Sequence, residues 1–426
     1  MKRSSIVKPE YRVPSMLEIT ELPHNGKSVV STFSGAGGSC LGYRMAGFKV
    51  IWANEFVPAA CDTYRLNHPT SILDTRDIRT IEPSEILDAV GLKKGEIDIL
   101  DGSPPCASFS TAGKREKTWG KVKKYSDTSQ RVDDLFFEFT RLLNGLQPKV
   151  FVAENVSGLV KGTAKGFFLE ILKALKACGY NVKAKLLDAQ WLGVPQSRQR
   201  IIFIGVRNDL KLEPTHPTPL KYRYSVDDAL PWIRSVSTLL SGKTPGMRDA
   251  SLPCPTVTTG DTGGNGRHVV EAVTIRQGNK NGHSSMRGEI VDRGAPSPTI
   301  IAGGGAGQFV VESESDISKF AIGKEWDTLT EGEQSDKYFS LVKVDRRDSC
   351  PTITAEGGNA SLASVTHPIE RRKFSIAELK RICAFPDDFQ LTGSYAQQWE
   401  RLGRSVPPVM MFHIAKTIEQ EILCKI

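Results

Sequence analysis

Ser28-Val-Val-Ser-Thr-Phe-Ser-Gly-Ala-Gly-Gly38 runs from a β-branched apolar stretch straight into a glycine-rich turn. Its first half, to Phe33, reads as a short buried strand. Gly38 to Gly47 reads as a helix closed by glycine. The same alternation continues outward. Strands are expected at 49–53, 97–101, 149–153, 182–188 and 200–206, with helices at 58–67, 132–146 and 167–177. Strand–helix alternation of this kind predicts a doubly wound α/β domain with a largely parallel sheet. The glycine turn then falls at the carboxyl edge of that sheet, where such folds hold ligands.

The spacing of this turn constrains the ligand. Gly35 and Gly37 fit the first two glycines of a dinucleotide fingerprint, but Cys40 stands at the third, which disfavours a pyrophosphate. A nucleoside without phosphates fits better, and S-adenosylmethionine is the natural choice. Glu55, at the end of the second strand, is placed to accept the ribose hydroxyls. Asp77, after the third, is placed to accept from the adenine amine. Phe33 is placed to lie against the adenosine or the sulfonium cation.

Composition removes several classes. Hydrophobic residues make up 39% and charged residues 24%, ordinary globular usage, which excludes a disordered or collagen-like chain. The longest apolar runs, such as 200–206, fall far short of the ~20 residues that a membrane helix needs, and residues 1–27 contain no secretory signal. The eight cysteines form no C-x-x-C pair, so no structural metal is expected; scattered thiols point to a reducing cytoplasm. A net charge of +8 favours an anionic partner, most often nucleic acid.

Asp101-Gly-Ser-Pro-Pro-Cys106 follows the fourth strand. Two prolines stiffen the backbone just before a thiol at the ligand-binding edge, a suitable mount for a nucleophile. Glu154-Asn-Val156 ends the next strand at the same edge, as a helix cap or a catalytic acid. Gln196-Ser-Arg-Gln-Arg200 is expected to carry Arg198 and Arg200 on one face of an incipient strand. Residues 114–131, directly after the cysteine, hold seven Lys/Arg against two acids. They predict a mobile basic loop closing on a phosphate backbone, with Lys114, Arg115, Lys117, Lys121, Lys123 and Lys124 as contacts.

After about residue 208 the pattern changes. Residues 211–370 are rich in Pro, Gly, Thr and Ser, and a phrase recurs: Pro255-Thr-Val-Thr-Thr-Gly260, Pro298-Thr-Ile-Ile-Ala-Gly303 and Pro351-Thr-Ile-Thr-Ala-Glu-Gly357. These read as repeated strand-plus-glycine-loop units of a separate β-rich domain. Ser375 and Glu378 form a capping-box signal, and Pro407-Pro408 precedes a last helix.

Taken in order, these motifs resemble the DNA (cytosine-5)-methyltransferases. Phe33–Gly38 looks like the family's cofactor loop. Pro104-Pro105-Cys106, Glu154-Asn155-Val156 and Gln196-x-Arg198-x-Arg200 look like its catalytic motifs, and Gly403-Arg-Ser-Val-Pro-Pro408 is similar to its C-terminal cofactor motif, with Arg404 where the family usually has Asn. The resemblance implies the S-adenosylmethionine-dependent methyltransferase fold with a second, smaller β-rich target-recognition domain. Residues 28–210 plus 400–426 would form the catalytic and cofactor domain, 211–399 the small domain, and 1–27 an N-terminal extension. It implies a cofactor site lined by Phe33, Gly35, Ala36, Gly37, Gly38, Glu55, Phe56, Asp77, Ile78, Pro105, Leu135, Ser405 and Val406. It also implies a mechanism. Cys106 adds to carbon 6 of a flipped-out cytosine, Glu154 hydrogen-bonds ring nitrogen 3, and Arg198, assisted by Arg200, fixes the pyrimidine carbonyl. The expected partner is double-stranded DNA, for a cytoplasmic, monomeric enzyme of bacterial or phage origin that works beside a cognate restriction endonuclease. The competing readings are a tRNA cytosine-5-methyltransferase and a non-catalytic nucleic-acid-binding regulator.

Overall fold

The computed structural model describes residues 8–105, 135–160, 165–233 and 315–426, together with the backbone of short strands at 123–124, 129–130, 274–276 and 310–312. Seven strands form one sheet: β1 (Ser28–Thr32), β2 (Lys49–Asn54), β3 (Ile72–Asp74), β4 (Ile99–Gly102), β5 (Val150–Val156), β6 (Tyr180–Asp188) and β7 (Gln199–Arg207). Their order is β3-β2-β1-β4-β5-β7-β6. The first five are parallel. β7 is inserted antiparallel between β5 and β6.

Alternation along each strand separates two cores. Val29, Ile99, Val150 and Val152 face one side, where they meet α2 (Gly38–Met45) and the last helix, α11 (Pro408–Glu421). Val30, Leu100, Phe151 and Ala153 face the other, against α5 (Leu135–Leu146) and α6 (Lys165–Ala177). The helices begin where the sequence sets them. Pro58 opens α3 (Pro58–Asn67), Pro408 opens α11, and Gly37, left-handed at φ 86°, precedes α2.

α2 and α11 pack against one another at a glycine. A Cβ on Gly42 would lie 2.5 Å from the Pro408 carbonyl oxygen and 2.6 Å from Met411 Cβ. The C-terminal helix therefore completes the core beneath the glycine turn.

A third core gathers Ile19, Leu41, Val226, Leu230, Ile353, Phe374, Leu379, Trp399 and Leu402. It joins the short helix α1 (Met16–Glu21), α9 (Ile376–Ile382), which has its capping box on Ser375 and Glu378, and α10 (Tyr395–Arg404). The N-terminal residues are tied into this unit: Tyr11 Oη donates to the Arg381 carbonyl, and Met16 N–H to Asp388. By packing, α10 belongs with this third core, while α11, four residues later, belongs with the first.

In the region expected to be β-rich, residues 274–276 and 310–312 form an antiparallel strand pair, whereas residues 315–370 depart from the expectation. The latter contain α8 (Ala321–Trp326) and a two-residue parallel pairing, Val342–Lys343 with Val365–Thr366. The third repeat, Pro351–Gly357, is an extended segment that ends in a 3₁₀ turn at Ala355–Gly358, not a strand of a sheet. The residue before it is bonded to the segment before β7, and the Thr352 hydroxyl donates to Ser197 O. Cys350 N–H donates to Pro195 O and Ser197 N–H to Cys350 O. A proline at the start and glycines at the end leave it no ladder of its own. The first two repeats lie outside the described residues.

Gly42→Val should lower the unfolding free energy by about 1–3 kcal/mol through overpacking of the α2–α11 contact. The shift in denaturant midpoint measures it.

Candidate active site and cofactor cleft

The glycine turn leaves β1 through Phe33, a non-glycine residue in the left-handed region at φ 54°. An aromatic side chain is held there at a cost, which is tolerated mainly at functional turns. Gly35 follows at φ 56°, with nothing within 4 Å of where a Cβ would stand. Its N–H donates to Glu55 Oε2 at 2.7 Å, while Glu55 Oε1 accepts from the N–H groups of Phe56 (2.8 Å) and Val57 (2.7 Å). A carboxylate offers about four acceptor positions. Glu55 thus fixes the turn with three and keeps capacity for a ligand hydroxyl. Burial raises its pKa, against the pull of those N–H groups and of Arg401.

Ala36 is buried, and Gly38 lies under the C-terminal motif: a Cβ there would stand 2.4 Å from Val406 O and 3.3 Å from Ser405 Cβ. Ser405 is held by its hydroxyl, which donates to Arg401 O at 2.6 Å. The structure therefore brings the first and last cofactor motifs into contact. Asp77 is engaged by Arg79, at 3.0 Å from its guanidinium and from its backbone N–H. Ile78 and Leu135 are buried in the second core.

Asp101, at the end of β4, is a functional-edge residue that sequence reasoning passed over. Its carboxylate accepts from Ser31 Oγ (3.2 Å) and Tyr43 Oη (3.1 Å), and burial pushes its pKa up to about 7, with Glu154 adding to the rise. Only its place before the double proline marked it.

The donor set suits a nucleoside carrying a positive charge better than one carrying phosphates. The acidic groups around the turn are Glu55 and Asp77, with an open space over Gly35 and Asp101 buried behind.

At the neighbouring strand ends, Glu154 and Arg200 form a half-enclosed ion pair, Oε1 to Nε 2.7 Å, with side chains 11% and 13% exposed. The antiparallel register explains it. Arg200 pairs with Val156, which puts it diagonal to Glu154 on one face. Asn155 Nδ2 donates to Pro104 O at 3.3 Å, fastening the double-proline loop to β5. Pro105 is half-buried; Cys106 and the basic residues Lys114, Arg115, Lys117 and Lys121 lie outside the described residues. Lys123–Lys124 is described only as a backbone strand paired with Ser129–Gln130.

Arg198 stands just before β7, which begins at Gln199. Its side chain, 1% exposed, donates to Ile353 O (3.1 Å) and Gly403 O (2.8 Å), and burial lowers its pKa to about 9, with Arg200 adding to the fall and Glu154 opposing it. It is a tie between the sheet and the third core, while Arg200 is the guanidinium that pairs with Glu154.

The model of the C-5 cytosine-specific DNA methylases matches residues 27–420. The chain belongs to this family. As a member of it, the chain is an enzyme that methylates carbon 5 of cytosine in DNA. It is 28% identical over 394 residues to the Type II methyltransferase M.NgoFVII of Neisseria gonorrhoeae, covering 92% of this chain and 87% of the relative. It is 28% identical over 415 residues to M.Sau96I of Staphylococcus aureus, covering 96% and 80%. Among solved structures, an E. coli protein described as a prophage-encoded DNA modification methyltransferase superposes with a TM-score of 0.61 at 22% identity, covering 93% of this chain and 100% of that one. This likeness shows the methyltransferase fold.

Asp101 gives the methylase a pH signature. Its folded pKa of about 7 lies above the unfolded value, so the folded state binds more protons in between, and stability falls as pH rises from about 4 toward 7. Denaturant titrations across this window should show a smaller fall for Asp101→Asn than for the native protein. Arg198→Met should cost at least about 1.5–3 kcal/mol by leaving two buried carbonyls unpaired, read from the same titrations at pH 7.

Proposed function

We propose that the chain methylates cytosine within a specific double-stranded DNA sequence through a covalent Cys106–carbon 6 adduct. It would be the modifying member of a Type II restriction–modification pair, monomeric and cytoplasmic, beside a cognate endonuclease. The observation that carries this reading is the Glu154–Arg200 pair next to the anchored Pro104-Pro105 turn. The relatives' designation as Type II methyltransferases supports the biological setting.

Carbon 5 of cytosine is a poor nucleophile inside an aromatic ring. Addition of the Cys106 thiolate at carbon 6 breaks the aromaticity and makes carbon 5 an enamine carbon, which takes the methyl group. Loss of the carbon 5 proton and departure of the thiolate restore the ring. Glu154, sharing a proton with the base, hydrogen-bonds nitrogen 3. Arg200 takes the pyrimidine carbonyl, the role expected of Arg198, because Arg200 is the guanidinium paired with Glu154. Arg198 holds the backbone behind it.

S-adenosylmethionine would supply the methyl group when bound. Gly35 would leave room for it, Glu55 would accept from a ribose hydroxyl, Phe33 and Phe56 would hold the adenosine, and Ser405–Val406 pack over Gly38. The target base must leave its stack, which costs a few kcal/mol. The basic segment 114–131 would close behind it on the phosphates.

Cys106→Ala should abolish methylation, and DNA carrying 5-fluorocytosine should become irreversibly attached to the native protein with cofactor supplied. Absence of the adduct overturns the covalent reading. Arg200→Ala should lower kcat by on the order of 10²–10³, with the folded protein retained. Methylation of tRNA in preference to duplex DNA would favour the RNA alternative.

A further inference from the structure

The family's C-terminal cofactor motif usually has Asn where this chain has Arg404. The guanidinium has a different setting. Its Nε donates to Glu400 Oε1, one helical turn back, at 2.8 Å, and the side chain is 43% exposed. There it borders a concavity of about 530 Å³ that no residue of the glycine turn lines. The facing wall is the end of the third repeat, the 3₁₀ turn Ala355–Gly358, with Glu356 and Asn359; Ser394 and Gln397 complete the rim.

Both walls are rigid. Arg198 donates to Ile353 O on one side and Gly403 O on the other. Trp399 Nε1 donates to Thr354 O at 2.9 Å, and the turn lies so close to this ring that a Cβ on Gly357 would stand 2.5 Å from Nε1. From below, the buried Lys373 ammonium donates to Gly357 O and Asn359 O. The concavity thus presents a guanidinium, carboxylates and amides on a framework fastened to the strand that carries Arg200.

This set discriminates among ligands. Glu356 and Glu400 both carry carboxylates, which opposes a phosphate. A guanidinium beside a carboxylate instead matches the major-groove edge of a G·C pair, where guanine offers two acceptors and cytosine an amine donor. We propose that Arg404 and Glu356 read a G·C pair of the recognition sequence other than the one holding the target cytosine. Arg404 donates to guanine O6 and N7, and Glu356 accepts from cytosine N4. Glu400, which accepts from the Arg404 Nε, is the positioning residue. This inference rests on the sequence-specific DNA methylation proposed above.

The test is cytosine-methylation sequencing of DNA from a methylation-free host that expresses the native protein, Arg404→Asn or Glu356→Gln, with the KM for S-adenosylmethionine measured on each purified protein. Methylation at each sequence is compared within one DNA sample, so a general loss of activity does not mask a change of spectrum. Both variants should relax the same G·C position, raising methylation of the altered sequence by about ten-fold or more relative to the native one, with KM unchanged. An unchanged spectrum in both variants overturns the proposal. So does a raised KM in Arg404→Asn without a change of spectrum, which would place Arg404 at the cofactor. If Arg404→Asn does not fold, Glu356→Gln, on a surface turn, decides alone. A native protein that methylates no cytosine would instead sink the proposed function.

Discussion

A single buried guanidinium holds this enzyme's parts in register. Arg198 leaves the sheet just before β7 and donates to carbonyls of two segments more than 150 residues further along the chain, at Ile353 and Gly403. Two of its nitrogens are satisfied by these carbonyls, and breaking either bond would leave a buried charge less compensated. The arrangement sets where the third repeat docks, where α10 ends, and so where Ser405 and Val406 meet Gly38. The Glu154–Arg200 pair and the glycine turn, though built from separate motifs, are linked through this one side chain.

Much of the site was legible because its chemistry is local. A strand, a glycine turn and a helix are written in a dozen consecutive residues, and the turn forms where they place it. Pro104-Pro105 stiffens its own loop, and Pro58 and Pro408 open their own helices. The limits appear where pairing across the chain decides. Which arginine pairs with Glu154 is a matter of cross-strand register, in which Arg200 stands opposite Val156. Two arginines two residues apart look equivalent in sequence; one becomes a buried tie and the other half of an ion pair. The third repeat likewise looks like a strand, yet it is docked through Cys350, just before it, and Thr352 onto the segment before β7. Helix α1 was hidden because six residues with one buried side chain, Ile19, carry almost no periodic signal. Asp101 was overshadowed by the motif that follows it.

The charges around the cleft form a graded series. Asp101 is buried with only hydroxyl donors, and its pKa rises. Glu55 is buried with three backbone N–H donors that oppose the rise. Asp101 and Glu55, at strand ends of one sheet, therefore differ in what opposes their burial. Glu154 forms an ion pair with Arg200.

The contact between Gly42 and Pro408–Met411 has a consequence for biosynthesis. The glycine turn and the helix that packs beneath it come from distant parts of the sequence. During synthesis the early strands wait for this half of their apolar cover until α11 has emerged, so the sheet edge around the turn is among the last parts of the core to consolidate.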